Sequence, residues 1–283
     1  MRSTLASHEA LERRIRSYGE RALVAFSGGV DSSLVLALAA RALGPDSVTA
    51  VTAVSPSYPA GELELAAAVA SDLSVAHRTV RTHEVERETY ARNDEMRCYH
   101  CKAELYATLG RIVSASAEGD VVLAGANADD VDEFRPGLWA GERAGIRNPL
   151  LEERVGKSMV RQIARDLGLR VADKPALACL SSRVTPGIRI TPELLGRIDA
   201  AEREIRALGF DLVRVRHRDG LASVEVGREE IGRLTGHPGF ARALGAIRSL
   251  GWSRVEVDPN GYRPAGASEP REGAPSARRT LRG

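Results

Sequence analysis

Aromatic residues make up only 4% of the 283-residue chain, and cysteine and methionine occur three times each. Three cysteines cannot all pair with one another, so a disulfide-built fold is excluded, and metal-binding or catalytic thiols become the readings to test. No apolar run approaches the length of a membrane span, and the opening stretch "MRSTLASHEALERRIRSYGE" reads as a polar amphipathic helix without a signal-peptide core. The expectation is a cytoplasmic protein with no membrane partner. Excess charge is missing too. The net charge is +2, and the segment from Arg271 onward holds four Arg and one Glu, a +3 contribution that leaves −1 for the rest. Such a balance excludes a large phosphate-backbone footprint, so no nucleic-acid partner is expected, while a local basic pocket for one small phosphorylated ligand remains open.

What is present is an ordinary globular composition, 43% hydrophobic and 28% charged, in a chain long enough for one large domain or two modest ones. Four short apolar or β-branched runs, Arg21 to Phe26, Ser47 to Val54, Ala76 to Thr82 and Asp120 to Asn127, read as strands. Helical patterns at Asp31 to Leu43, Ala60 to Leu73, Lys102 to Ala117 and Lys157 to Leu169 separate or follow them. This alternation predicts an α/β fold with a doubly wound parallel sheet, whose ligands gather at the carboxyl ends of the strands. Beyond it, a helix from Pro192 to Leu208, the strand-like runs "DLVRVRHR", "LASVEVG" and "SRVEVD", and a helical stretch from Gly239 to Leu250 predict a small C-terminal α+β domain. The expected division is residues 1–190, residues 191–263, and a Pro-, Gly-, Ala- and Ser-rich tail at 264–283 that reads as disordered.

The stretch "AFSGGVDSSL", Ala25 to Leu34, carries the strongest local signal. A strand, a glycine turn and a helix start place unpartnered backbone amides and a helix N-terminus around one concave spot, which suits an anion. Gly28 and Gly29 permit the tight turn and close approach of phosphate oxygens, and Ser27, Ser32 and Ser33 add hydroxyls. No Gly-Lys-Ser/Thr follows, so this is not the Walker loop, and the dinucleotide glycine spacing is also missing. A bland alternative is a helix capped by Asp31 or Ser32.

"RCYHCK", Arg97 to Lys102, supplies Cys98 and Cys101 at C-x-x-C spacing near a helix start, and Cys179 follows in "ALACLSSRV". Three thiolates suit an iron-sulfur cluster with one open iron, or a zinc site completed by His100 or water. Arg183, and Arg214 and Arg216 on one strand face, have the forked geometry for a phosphate; Arg263 in "GYR" is a further candidate. Glu225 could pair with either strand arginine or bind Mg2+. Asn127, Asp129 and Asp130 lie where the fourth strand would meet a nucleotide or Mg2+, or simply form an Asx turn. Trp139, Trp252 and Tyr262 read as packing residues.

The string "SGGVDSS" resembles the pyrophosphate-binding loop of the PP-loop ATP pyrophosphatase superfamily. That resemblance implies cleavage of ATP between its α- and β-phosphates, leaving an adenylated substrate, with Asp31 joining the loop residues as a cofactor-binding position and Mg2+ sharing the phosphate charge. Over most of the chain, "GANADDVDEFRPGLWAGERAGIRNPL", "ALACLSSRVTPG", "VRVRHRDGLASVEVG" and "GYR" resemble the LarE family, ATP-dependent sulfur transferases that build the nickel-pincer nucleotide of lactate racemase and its relatives. Arg135 and Glu142 fall in the matched segments, and Asn148 departs from the serine expected in relatives. The resemblance implies pyridinium-3,5-biscarboxylic acid mononucleotide as substrate, ATP as cosubstrate, Cys179, Arg183 and Glu225 as the catalytic set, and a homo-oligomer, a hexamer among the options. Relatives carrying only the match to Cys179 sacrifice its sulfur and leave dehydroalanine. Those with the added C-x-x-C resemble enzymes holding a 4Fe-4S cluster on three cysteines, the version implied here by Cys98, Cys101 and Cys179. A tRNA thiolase with a three-cysteine cluster is the competing reading, and it predicts a basic face that the charge balance does not offer.

Overall fold

The computed structural model describes residues 4–115, 120–131, 134–176 and 178–262. Arg263, the expected tail at 264–283 and the expected helix end at Ala117 lie outside the described residues. The strands are β1 (Ala22–Ala25), β2 (Val48–Val54), β3 (Ala76–Arg81), β4 (Val121–Leu123), β5 (Arg214–Arg218), β6 (Leu221–Glu225) and β7 (Arg254–Val257). The helices are α1 (Thr4–Arg16), α2 (Val30–Leu43), α3 (Glu62–Asp72), α4 (Glu88–Ala91), α5 (Arg97–Ala115), α6 (Pro136–Arg143), α7 (Pro149–Glu152), α8 (Lys157–Asp166), α9 (Pro192–Arg206), α10 (Ile231–Thr235) and α11 (Phe240–Ser249).

The first sheet is parallel throughout, in the order β3-β2-β1-β4. Its apolar strands are covered on both faces. One core joins Val24, Val48 and Ala50 to α1, α2, α3 and α8; the other packs Leu23, Val51 and Val122 against Leu105 and Leu109 of α5 and Ala140 of α6. Helix α2 is apolar nearly all round because it runs between α1, α8 and the sheet, with Leu34, Val35, Leu36 and Leu38 fully buried. The chain runs outward from β1 through β2 to β3 and then returns to place β4 on the other side of β1. That reversal opens a crevice at the carboxyl ends of β1 and β4. Gly125 makes the crevice narrow at its base: a Cβ there would lie 2.8 Å from the backbone nitrogen of Ser32, so only glycine lets the exit of β4 meet the first turn of α2.

The second sheet has the order β5-β6-β7, with β5 and β6 antiparallel and β6 and β7 parallel. Asp219 and Gly220 both take positive φ in the tight β5–β6 turn. Its core, centred on Ile198, Phe210, Val215 and Val224, also takes in Val85, Tyr90, Leu180, Val184 and Ile190. Residues 180–190 therefore pack with the second unit, so the expected division at 190 runs through that core. The Cys179 loop is the seam between the two units. Of the residues expected to serve packing, Trp252 is buried, but Trp139 is half exposed.

Candidate active site

The anion cradle is built by backbone. Gly28 turns the chain at φ +77°, and Gly29 is the N-cap residue of α2 with no side chain capping the helix. The amides of the first turn thus carry no intrahelical partner and stand at the edge of a cleft. Ser32 does not cap: its hydroxyl donates to the Gly29 carbonyl (3.1 Å) and lies 3.1 Å from Ser27 Oγ, which stiffens the loop from inside. Tyr58 holds the loop from the end of β2 by donating to the Ser27 carbonyl (3.0 Å). Ser33 is fully buried in α2, with its hydroxyl unpartnered.

Around this cradle lie two contiguous clefts of about 320 and 310 Å3, both lined by Ser27, Asp31, Asp130 and Arg135. Asp31 accepts from Asn127 Nδ2 (3.1 Å) and pairs with the Lys157 ammonium. Lys157 arrives there because Asp129 binds the α8 N-terminus, accepting from the Lys157 amide at 2.8 Å against a glycine, Gly156, that leaves it room. Asn127 and Asp130 cap their own turn reciprocally, Asn127 Oδ1 accepting from the Asp129 amide and Asp130 Oδ2 from the Asn127 amide. Asp130 Oδ1 faces Arg135 at 3.1 Å. The polar cleft is therefore ringed by a lysine, an arginine, three carboxylates and a helix N-terminus, a set able to receive a polyphosphate with its counter-ion.

The larger cleft adds Cys98, Lys102, Tyr106, Phe134 and Leu138 to the loop residues Ser27, Asp31 and Ser32. Helix α5 begins at Arg97, five residues before the expected Lys102, so the C-x-x-C lies in its first turn. Cys98 is exposed to the cleft, whereas Cys101 is half-buried against the second core, and burial pushes its thiol up to about 12. Cys101 also senses Cys98 and Cys179 electrostatically, as do Arg97 and Lys102, so all three cysteines share one neighbourhood. Among the described residues no group of three or more His, Cys, Asp or Glu is arranged to hold a metal ion. Glu84 lies beside them, buried, with Oε1 taking the hydroxyls of Ser55 (2.5 Å) and Ser57 (3.0 Å) and Oε2 unpartnered.

The Cys179 loop is held from several sides. Leu180 N–H bonds the Ser57 carbonyl (2.9 Å), Tyr90 and Ser181 share a hydroxyl contact of 2.6 Å, and Arg97 donates to the Ser181 carbonyl (2.9 Å). Asn93, fully buried at φ +57°, donates to the carbonyls of Thr185 (2.9 Å) and Ile188 (3.0 Å). Arg183, expected to meet a phosphate, instead turns inward. Its guanidinium is 1% exposed, pairs with Glu202 at 2.9 Å and donates to the carbonyls of Ala178 (2.6 Å) and Cys179 (2.8 Å). It positions the Cys179 loop from behind. Glu225 is also fully buried: Arg216 donates to its Oε1 (2.6 Å), Oε2 has no partner, and this places it away from solvent-borne Mg2+. Arg214 spends its donors on the carbonyls of Val213 (2.8 Å) and Ala176 (3.0 Å), the latter residue lining the polar cleft.

The structure thus brings together Ser27, Gly29, Asp31, Ser32, Asn127, Asp130 and Cys98, and sets Arg183, Arg214, Arg216 and Glu225 behind the Cys179 loop. Lys157, Glu202 and Asn93 carry no local motif that would single them out. A profile described as asparagine synthase matches residues 6–134, the part holding the glycine loop and the parallel sheet. The pyridinium-3,5-bisthiocarboxylic acid mononucleotide synthase of Lactiplantibacillus plantarum is 33% identical over 92% of this chain and 94% of its own length. The chain belongs to the LarE family. An uncharacterized Synechocystis protein, slr1717, is 42% identical over 89% of the chain, and Methanocaldococcus jannaschii MJ0830, also uncharacterized, is 27% identical over 86%. Together, the PP-loop fold and this family membership make the protein an ATP-dependent sulfurtransferase. Among the described residues no helix is long and apolar enough to cross a membrane.

Proposed function

We propose that this LarE-family enzyme adenylates a carboxylate of pyridinium-3,5-biscarboxylic acid mononucleotide and converts it to a thiocarboxylate, in the making of a nickel-pincer nucleotide for lactate-racemase-type enzymes. One observation carries the reading: the anion-binding loop and the Cys98 thiol line a single cleft of about 320 Å3. A carboxylate held there would lie between the loop that takes the phosphates and the helix start that carries two of the three thiols. The carboxylate oxygen attacks the α-phosphorus of ATP, and the bond to the bridging oxygen breaks. Pyrophosphate departs into the amides of α2 and the Lys157 ammonium, which are already oriented toward negative charge. Mg2+ would arrive chelated by ATP, with Asp31, Asp129 and Asp130 the carboxylates that line the polar cleft. A sulfur lone pair then attacks the acyl carbon and AMP leaves.

The donor set Cys98, Cys101 and Cys179 has the chemistry of a 4Fe-4S site, which would supply a terminal sulfide. Each thiolate of such a cluster would bind its own iron, so the three need one neighbourhood and not one ion, and the neighbourhood these three share supports the cluster. A second reading, in which Cys179 gives up its own sulfur, is favoured by the bonds that brace the loop around that one thiol. The test is anaerobic purification with iron and sulfide analysis, followed by ATP-to-AMP turnover with the pyridinium nucleotide or with bulk tRNA. Turnover on the pyridinium nucleotide alone is expected. Turnover on tRNA alone overturns the substrate. An iron-free, active protein whose Cys179 becomes dehydroalanine in mass spectra replaces the cluster with the sacrificial route.

A further inference from the structure

Among the described residues, the large apolar side chains most open to solvent are Val131, Phe134 and Trp139, at 60%, 59% and 47% exposure. They are not scattered. Phe134 lines the cleft that holds the glycine loop and Cys98, and Trp139 meets it edge to face, with ring centroids 5.4 Å apart at 86°. Trp139 rides on the helix that is seated against the one carrying the thiol. Gly137, between Phe134 and Trp139 in sequence, brings α6 so close to α5 that a Cβ there would stand 3.1 Å from Lys102 Cγ and 3.6 Å from the Cys98 carbonyl. Leaving two large rings in water forfeits the burial that most such side chains obtain, and a patch of this kind beside a cleft marks a binding surface.

The acceptor's chemistry, taken from the reading above on which this inference rests, says what the patch meets. The carboxyl carbon that must reach both the α-phosphate and the sulfur is bonded directly to the pyridinium ring. The ring therefore enters the same cleft, whose larger apolar and aromatic lining residues are Tyr106, Phe134, Pro136 and Leu138. We propose that Phe134, backed edge to face by Trp139, forms a stacking seat for the planar, electron-poor ring of the acceptor, with the Lys102 ammonium lining the same cleft. The negative faces of aromatic rings attract a cationic ring, and indole does so best. The edge-to-face pairing holds Trp139 in place, so little freedom is lost on binding.

The chain has two tryptophans, and Trp252 is buried, so Trp139 emission can be followed in the full-length enzyme. Titration with nicotinic acid mononucleotide, a carboxylated pyridinium nucleotide that needs no turnover to bind, is expected to quench that emission saturably, and Trp139→Phe should abolish the quenched component. Trp139→Leu should raise KM for the acceptor roughly tenfold while moving kcat and KM for ATP less than about twofold, and Trp139→Phe should restore KM. The proposal is overturned if AMP quenches Trp139 and the pyridinium nucleotide does not, since the seat then belongs to adenine. It is also overturned if KM is indifferent to Trp139→Leu, or if sedimentation shows a dimer in which Trp139 emission is already shielded, since a second copy then covers the pair. Absence of wild-type turnover on the pyridinium acceptor would sink the functional reading instead, and the quenching arm would still report on the seat.

Discussion

Replacing Glu202 by alanine removes the counter-charge of a guanidinium that has no route to water. Arg183 and Glu202 are 1% and 0% exposed and 2.9 Å apart, and Glu202 also takes Arg206 (2.6 Å) and the Val215 amide (3.2 Å). Arg183 would keep its donors on the Ala178 and Cys179 carbonyls, so its charge stays buried. Stranding one member of such a pair costs about 3–5 kcal/mol, against a total stability of about 5–15 kcal/mol. At roughly 2–4 °C per kcal/mol for a chain of this size, the melting temperature should fall by about 6–20 °C. The double variant Arg183→Met/Glu202→Leu removes both charges and should recover most of that loss, yet it deletes the clamp on the two carbonyls around Cys179. Thermal melts and ATP-to-AMP turnover on the three proteins separate the effects: stability is expected back in the double variant, sulfur transfer is not. A single variant that melts within about 2 °C of wild type refutes the reasoning, as does a double variant that regains full turnover.

Glu202 also sets an acid limit. Although burial alone would raise its pKa, Arg183 and Arg206 hold the folded carboxylate below its ordinary value. A depressed folded pKa stabilises the fold above the unfolded value of about 4.3, and that contribution is lost as pH falls through the folded value. Urea melts at pH 7 and pH 4 should therefore show a larger acid loss in wild type than in Glu202→Gln. Gly125→Ala puts a methyl 2.8 Å from the Ser32 nitrogen and 2.9 Å from the Asp31 carbonyl carbon; with overpacking worth about 1–3 kcal/mol, titration calorimetry should find ATP binding weakened by roughly tenfold. Lys157→Ala leaves the departing pyrophosphate without its ammonium and should lower pyrophosphate exchange about 100-fold, measured with labelled pyrophosphate. Cys98 is the exposed thiol, and Cys101 has its thiol raised to about 12 by burial. Peptide mapping after limited alkylation of metal-free protein should find Cys98 labelled first, more slowly when a non-hydrolysable ATP analogue fills the cleft.

The parts of this enzyme legible in its sequence are those whose chemistry is local. "SGGVDSS" announces a strand, a positive-φ turn and an open helix start within one short window, and β1, Gly28 and α2 occupy those places. The C-x-x-C is equally local. What escaped is what the chain assembles over distance. Lys157 reaches Asp31 across 126 positions and Asn93 reaches Thr185 across 92, with no spacing rule to connect them. The arginines show the limit most clearly. A forked cation suits a phosphate and a buried carboxylate equally well, and only burial distinguishes the two. Arg183 was legible as an arginine near Cys179, and its carboxylate partner, one helix later, turns it from a ligand for phosphate into a brace for the loop. Trp139 errs the other way: it reads as a packing residue, and its ring is half exposed. Residues that act through backbone are therefore visible beforehand. Those that act through a side chain depend on which element the fold lays opposite, as α9 brings Glu202 to Arg183.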